Sequence, residues 1–256
     1  EDSMDISRTF SLIGWTTPEV TNIENPIHHY TQSGNYTVKL TATNSTTGCQ
    51  YQYNREIYVR NLKSDFSISG ALPCRGNTLT LDGTASQDIS PFTHQGQTIQ
   101  YLWRIEEENR TVGSQNAVTH RFMRKGINTV SLIVRDANGC RDTLRKTITI
   151  HEPAPEFEAD YKLGCMPVTF GFTDKTISEQ PITNWLWTFG DGNTSSMQNP
   201  THDYVSFGGY NVSLEVTDAI GCKNKITKNQ VVQAIFPDAT FSADKTELCI
   251  GETIRF

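Results

Sequence analysis

A chain of 256 residues is long enough for two or three ordinary domains. A formal net charge of −6, with 20% charged residues, gives a mildly acidic Ser/Thr/Asn-rich surface and excludes nucleic acid and anionic membrane as expected partners. No apolar run approaches the ~20 residues that cross a bilayer, so no membrane insertion is expected, and no N-terminal leader is visible.

Alternation of apolar and polar residues dominates the chain, and few stretches keep an apolar 3.6 period, so the expected fold is all-β. Residues 1–61 read as the back part of a repeat lacking its first strands. In them Phe10 to Trp15 is a worn strand, His28 and Tyr30 precede Gly34, Val38/Leu40/Ala42 alternate, and Gly48-Cys49 closes the strand. Residues 62–152 form a complete repeat: Phe66, then Cys74 eight residues later, then Leu79/Leu81, Trp103-Arg-Ile105, His120, Phe122, Gly126, Val130/Leu132/Val134 and Gly139-Cys140. Glu106-Glu-Glu108 in this repeat reads as a solvated hairpin.

Residues 153–236 repeat the text most clearly, with Phe157, Cys165 and Phe170/Phe172 at the front. Trp185, Trp187 and Phe189 alternate onto one strand face, and Gly190, Asp191 and Gly192 then turn the chain. After Asn199-Pro200 come His202, Tyr204 and Gly208, then Tyr210, Val212, Leu214 and Val216 on one face, closed by Gly221-Cys222. Residues 237–256 open a further repeat, with Phe241, Cys249 and Ile254/Phe256, and stop within a strand. The anchoring glycines lie 92 and 82 residues apart, a spacing suited to β-sandwich modules, and the chain reads as a segment of a longer array. The predicted core is Trp103, Trp185, Trp187, Phe189, Tyr204, Tyr210, Val212 and Leu214. The joints Glu152-Pro-Ala-Pro155 and Phe236-Pro-Asp-Ala239 are short and proline-stiffened, which favours a semi-rigid rod.

Trp185-Leu-Trp187-Thr-Phe189-Gly-Asp-Gly192, Asn199-Pro-Thr-His-Asp-Tyr204 and Gly209-Tyr-Asn-Val-Ser-Leu-Glu-Val216 closely resemble the PKD (polycystic kidney disease) domain. The second repeat shares the pattern without the Gly-Asp-Gly turn, and the first keeps its second half: Asn25-Pro-Ile-His-His-Tyr30 and Gly34-Asn-Tyr-Thr-Val38. The resemblance implies tandem Ig-like β-sandwiches. The pairing of one front cysteine with a rear Gly-Cys is similar to the PKD arrays of Bacteroidetes surface proteins, among them gliding-motility adhesins exported by the type IX system.

Six cysteines at repeat-fixed positions suit an oxidising, extracytoplasmic setting, while zinc lacks CxxC spacing. In an Ig-like sandwich the loop between the first two strands and the last hairpin lie at opposite poles. A staple between neighbouring modules, Cys74–Cys222, is therefore expected, with Cys49, Cys140, Cys165 and Cys249 pairing to modules outside the chain. Bonds within modules, Cys74–Cys140 and Cys165–Cys222, are the alternative. Asp191 could ligate calcium with Asn193, but no Asp-x-Asp-x-Asp run supports it, and a turn-stabilising role fits the glycines beside it. The histidines, one per repeat, suit local packing better than a shared ion. Asn35, Asn44, Asn109, Asn193 and Asn211 match the N-linked sequon, and Asp2-Ser-Met and Asp142-Thr-Leu match a Bacteroidetes O-glycosylation motif.

No nucleophile with a base, paired carboxylates, phosphate loop or cofactor motif stands out, so no enzyme, cofactor or metal site is expected. The expected function is a non-catalytic spacer in an extracellular, cell-surface adhesin filament. Its partners would be neighbouring PKD modules of the same chain, with surface glycans or the motility and secretion machinery as further ones. The alternative is an accessory region of a secreted hydrolase that helps bind polysaccharide or collagen.

Overall fold

The computed structural model describes residues 6–13, 20–21, 25–91, 98–236 and 239–255, with side chains from residue 25 onward. Asp2, Trp15, Pro237, Asp238 and Phe256, which figure in the readings above, lie outside the described residues, as does the side chain of Phe10. The chain forms two compact units, one built from residues up to Ala71 with Gly76–Ile150, the other from Leu72–Arg75 with His151 onward.

The first unit begins with an antiparallel sheet of β1 (Ile6–Ile13), β2 (Val20–Thr21), β3 (Gly34–Asn44) and β4 (Gln50–Val59), in the order β2-β1-β3-β4. It continues with β5 (Leu62–Lys63), β6 (Ser67–Gly70), β7 (Thr78–Asp82), β8 (Gln87–Asp88), β9 (Gln100–Ile105), β10 (Arg110–Gly113), β11 (Ala117–Arg121), β12 (Gly126–Arg135) and β13 (Arg141–Ile150). Sheets β10-β9-β12-β13 and β11-β7-β6 enclose one core. Period-two alternation builds it: Val130, Leu132 and Val134 of β12 are fully buried, as are Trp103 and Ile105 of the neighbouring β9. The Trp103 indole N–H donates to Gln115 O at 2.8 Å, which satisfies its one polar atom inside an apolar core.

The second unit holds β14 (Phe157–Ala159), β15 (Leu163–Cys165), β16 (Val168–Asp174), β17 (Ile182–Thr188), β18 (Thr194–Ser195), β19 (Thr201–Tyr204), β20 (Gly208–Asp218) and β21 (Lys223–Ile235). Sheet β14-β16-β19 packs on sheet β15-β21-β20-β17-β18. Trp187, Phe189, Tyr204, Val212 and Leu214 are buried as expected, with Trp187 Nε1 donating to Met197 O at 2.9 Å. Trp185 and Tyr210 depart from the expectation: both are only partly buried, at the margin of the core. Each has a polar atom that must reach a partner near the surface. Trp185 Nε1 donates to the Asp174 carboxylate at 2.7 Å, and Tyr210 Oη donates to Ser206 O at 2.6 Å. Tyr210 pairs with the fully buried Val232 and so faces the core, but its bonded hydroxyl keeps it at the margin.

The repeat is visible in the register. Phe10 pairs with Leu40 as Trp103 pairs with Leu132 and Trp187 with Leu214. The counterpart of Tyr210 holds the same loop each time through a bond to the carbonyl four residues earlier: Tyr36 to Gln32, Asn128 to Arg124, Tyr210 to Ser206.

Candidate functional site

The rear Gly-Cys of each repeat closes a turn whose geometry recurs. In the last repeat Asp218 N donates to Cys222 O at 3.0 Å and Gly221 N to Asp218 O at 3.0 Å. One oxygen of the buried Asp218 carboxylate accepts from Ile220 N, Gly221 N and Cys222 N at 3.0, 2.9 and 2.8 Å. Asp136 does the same for Cys140, accepting from Asn138 N and Cys140 N at 2.9 Å each. Asn44 takes the role for Cys49 with an amide oxygen, accepting from Thr46 N and Thr47 N. A short acceptor side chain that satisfies consecutive backbone amides is what Asp and Asn contribute to turns. Gly221 sits at φ +101°, a conformation that costs glycine little.

This turn presents Cys222 to Cys74. The two are disulfide-bonded with Cα atoms 5.3 Å apart, 148 residues apart in sequence, and both are buried. Cys74 lies in the connection between β6 and β7, whose residues Leu72–Arg75 belong to the second unit. His151 N donates to Pro73 O at 2.8 Å and Arg75 N to His151 O at 3.0 Å, a parallel bridge, and the Arg75 guanidinium pairs with Glu152 at 2.9 Å. Within the second unit Pro153 and Pro155 are buried, Pro153 O accepts from the Asn224 amide, and Ala154 bridges Ile177.

The other sequence-predicted cysteines stand apart. Cys49, Cys165 and Cys249 are exposed free thiols, and Cys140 is a half-buried one, so neither bond within a module is formed. Burial, with the Asp136 carboxylate adding to it, pushes the Cys140 thiol up. Arg60 locks the Asp136 turn, bridging Asp88 at 2.5 Å and Asp136 at 3.2 Å while almost fully buried.

Gly190, Asp191 and Gly192 form a turn, with both glycines at positive φ. The Asp191 carboxylate accepts from Asn193 N at 3.0 Å, from the Asn193 amide at 2.9 Å and from His202 Nε2 at 2.8 Å. Burial works against the charged form, but these donors prevail and hold the carboxyl below its usual range. His202 stacks flat on Phe189 at 4.1 Å between ring centroids. With these bonds made, the turn has the satisfied geometry of a structural device, and among the described residues no group of three His, Cys, Asp or Glu side chains could hold a metal ion.

Glu106-Glu-Glu108, expected to be merely solvated, is a 3-10 turn in which every carboxylate is engaged. Glu106 accepts from Ser131 and Arg145, Glu107 from Thr129, and Glu108 from His120 Nε2 at 3.0 Å. Glu108 thus does for His120 what Asp191 does for His202, although no Gly-Asp-Gly is present. Sequence reasoning also missed a recurring cation. Lys146 Nζ lies 4.8 Å over the Phe66 ring and donates to Phe66 O; Lys228 Nζ lies 4.8 Å over Phe157 and donates to Phe157 O. The signal was available: each lysine follows its inner-strand valine, Val130 or Val212, by 16 residues.

The geometry defines a class: tandem β-sandwiches with filled cores, whose recurring geometry lies in turns, with one disulfide among the described residues. A family model described as PKD domain matches residues 70–152 and again 150–234. The chain belongs to the PKD-domain family. A microbial collagenase of Vibrio alginolyticus is 40% identical over 77 residues, 30% of this chain and 10% of that protein. Collagenase ColA of Bacillus cereus is 46% identical over 54 residues, 21% of this chain and 6% of its own. The chain therefore spans about a tenth or less of the curated relatives it matches. Among solved structures, the PKD1 domain of Vibrio anguillarum Epp is 29% identical, covering 33% of this chain and 95% of that one at a TM-score of 0.29.

Proposed function

We propose that this chain is a non-catalytic spacer of an extracellular protein, a run of PKD modules that holds another unit at a distance and carries tension. The observation that supports it best is the buried Cys74–Cys222 bond, which joins the stretch matched as one PKD domain to the stretch matched as the next. A buried disulfide of this kind fits an oxidising compartment. No helix among the described residues is long and apolar enough to cross a membrane. An adhesin filament of the gliding-motility type is the setting we favour, with neighbouring modules as the immediate partners and the adhesive group located elsewhere in the array.

A second reading has its own support. Identity to collagenases of Vibrio alginolyticus and Bacillus cereus favours an accessory region of a secreted protease that helps hold collagen or polysaccharide. The two separate in one experiment. Incubated with insoluble collagen, chitin or cellulose, a spacer stays in the supernatant after centrifugation. Saturable depletion by any of these solids overturns the spacer reading in favour of the second.

A further inference from the structure

The register of the sheet β10-β9-β12-β13 sets three rows across the face turned away from its core. They are Arg104, Ser131 and Arg145; Leu102, Ile133 and Thr143; Gln100, Arg135 and Arg141. Alternate residues of a strand share a face, so two arginine rows, about 13 Å apart along the strands, flank an aliphatic one. Arg104, Arg135, Arg141 and Arg145 are exposed, as is Leu102. Two grooves follow these rows. One of about 180 Å³ lies among Arg104, Arg110, Ile133 and Arg145, and one of about 290 Å³ among Leu102, Ile133, Arg135 and Arg141.

The positive charge of this face is poorly matched. Arg145 pairs with Glu106 at 2.7 Å, and Glu106 feels Arg104 at longer range. Arg110, Arg135 and Arg141 have no carboxylate partner among the described residues. Arg135 and Arg141 stand directly opposite one another, an arrangement that costs stability. The fold does not require it. In the second unit the corresponding rows read Thr188, Ser213 and Thr227; Leu186, Glu215 and Lys225; Asn184, Thr217 and Lys223. Threonine stands there in place of Arg104, Arg135 and Arg145, and the two lysines share the face with Glu215. An arginine-rich face that folding does not need, in a chain of net charge −6, points to an anionic partner.

We propose that this face binds a carboxylated polysaccharide, a polyuronate, laid across the arginine rows. The chemistry is already displayed there: the Glu106 carboxylate accepts from Ser131 Oγ at 2.5 Å and from Arg145 Nε at 2.7 Å. The guanidinium groups of Arg104, Arg135 and Arg141 offer the same planar N–H donors to a carboxylate from outside. Leu102 and Ile133 between them take the C–H face of a sugar ring. Rows about 13 Å apart suit a polymer whose charges are widely spaced. Duplex DNA, with one charge per ~1.7 Å, meets the repulsion of the acidic remainder, and the aliphatic row gives bases no ring to stack on. Such binding goes beyond the spacer reading and stands or falls separately from it, since chitin and cellulose carry no carboxylate.

Titration calorimetry of the whole chain with soluble polygalacturonate tests this, beside neutral dextran, dextran sulfate and duplex DNA at equal charge concentration. The expected result is saturable binding of polygalacturonate that weakens as salt is raised, with no binding of dextran. Arg104→Thr/Arg135→Thr, which installs the residues of the second unit at exposed positions and leaves the core intact, should lower the affinity about tenfold. Lys223→Thr/Lys225→Thr, on the corresponding face of the second unit, should leave it unchanged. Trp103 fluorescence confirms that each variant is folded. Absence of saturable binding overturns the proposal, as does an equal loss from the lysine variant, which would mean diffuse attraction. Tighter binding of dextran sulfate or of DNA than of polygalacturonate overturns it as well, in favour of a sulfated glycan or a nucleic acid.

Discussion

Removing the staple is the most informative single perturbation. The Cys74–Cys222 bond closes a loop of 148 residues, and in the chain-entropy treatment a loop of that size restrains the unfolded chain by about 5 kcal/mol, with measured effects commonly 2–4 kcal/mol. Cys74→Ala/Cys222→Ala should therefore lose about 2–5 kcal/mol relative to the oxidised chain. Reduction of the unaltered protein should lose a similar amount. Because the constraint acts on the unfolded ensemble, the urea m-value should rise once the loop is free to expand. Fluorescence resolves where the loss falls, since Trp103 and Trp187 are fully buried in different cores and Trp→Phe variants isolate each. A loss below about 1 kcal/mol with an unchanged m-value would refute the reasoning, because the loop would then close at no cost without the bond.

Other outcomes follow from the turns. Asp218→Ala removes the side-chain acceptor of three backbone amides, of which Gly221 N alone keeps the Asp218 carbonyl, and should cost about 2–3 kcal/mol in chemical unfolding, with Asp218→Asn recovering part of it. Gly190→Ala should cost well over 2 kcal/mol, since an added Cβ at φ +86° would meet Asn211 O at 2.6 Å; at Gly192, with φ +98° and open space, the cost should be about 1 kcal/mol. Asp191 has a depressed folded-state pKa, so its contribution is present above its unfolded value near 3.9 and lost as pH falls through the lower folded value. Thermal scans from pH 6 to pH 2 should show that loss, and Asp191→Asn should flatten it.

The β-strands and most of the core were legible because period-two alternation is a direct consequence of strand geometry, and Trp187, Leu214 and Val212 obey it without exception. The staple was legible because cysteine position within the repeat, together with sandwich polarity, leaves few partners within disulfide reach. What escaped notice depends on contacts that no local pattern encodes. Tyr210 stops at the core margin because its hydroxyl donates to Ser206 O, a loop contact that strand alternation does not show. Glu108 was unreadable because its relation to His120 requires knowing which turn stands opposite which strand, and the same task falls to an aspartate of different spacing in the neighbouring module. The lysines over Phe66 and Phe157 lie on polar strand positions and read as ordinary surface charge until the opposite sheet is in place.

The most direct test of a load-carrying spacer is to pull on it. Stretched by its ends in a single-molecule force experiment, the oxidised chain should withhold the residues between Cys74 and Cys222 from extension. Reduction should release about 500 Å of additional contour length from that 148-residue segment. Equal extension with and without reductant would mean that no covalent shield spans these modules, and the account of them as a stapled, tension-bearing array would be contradicted.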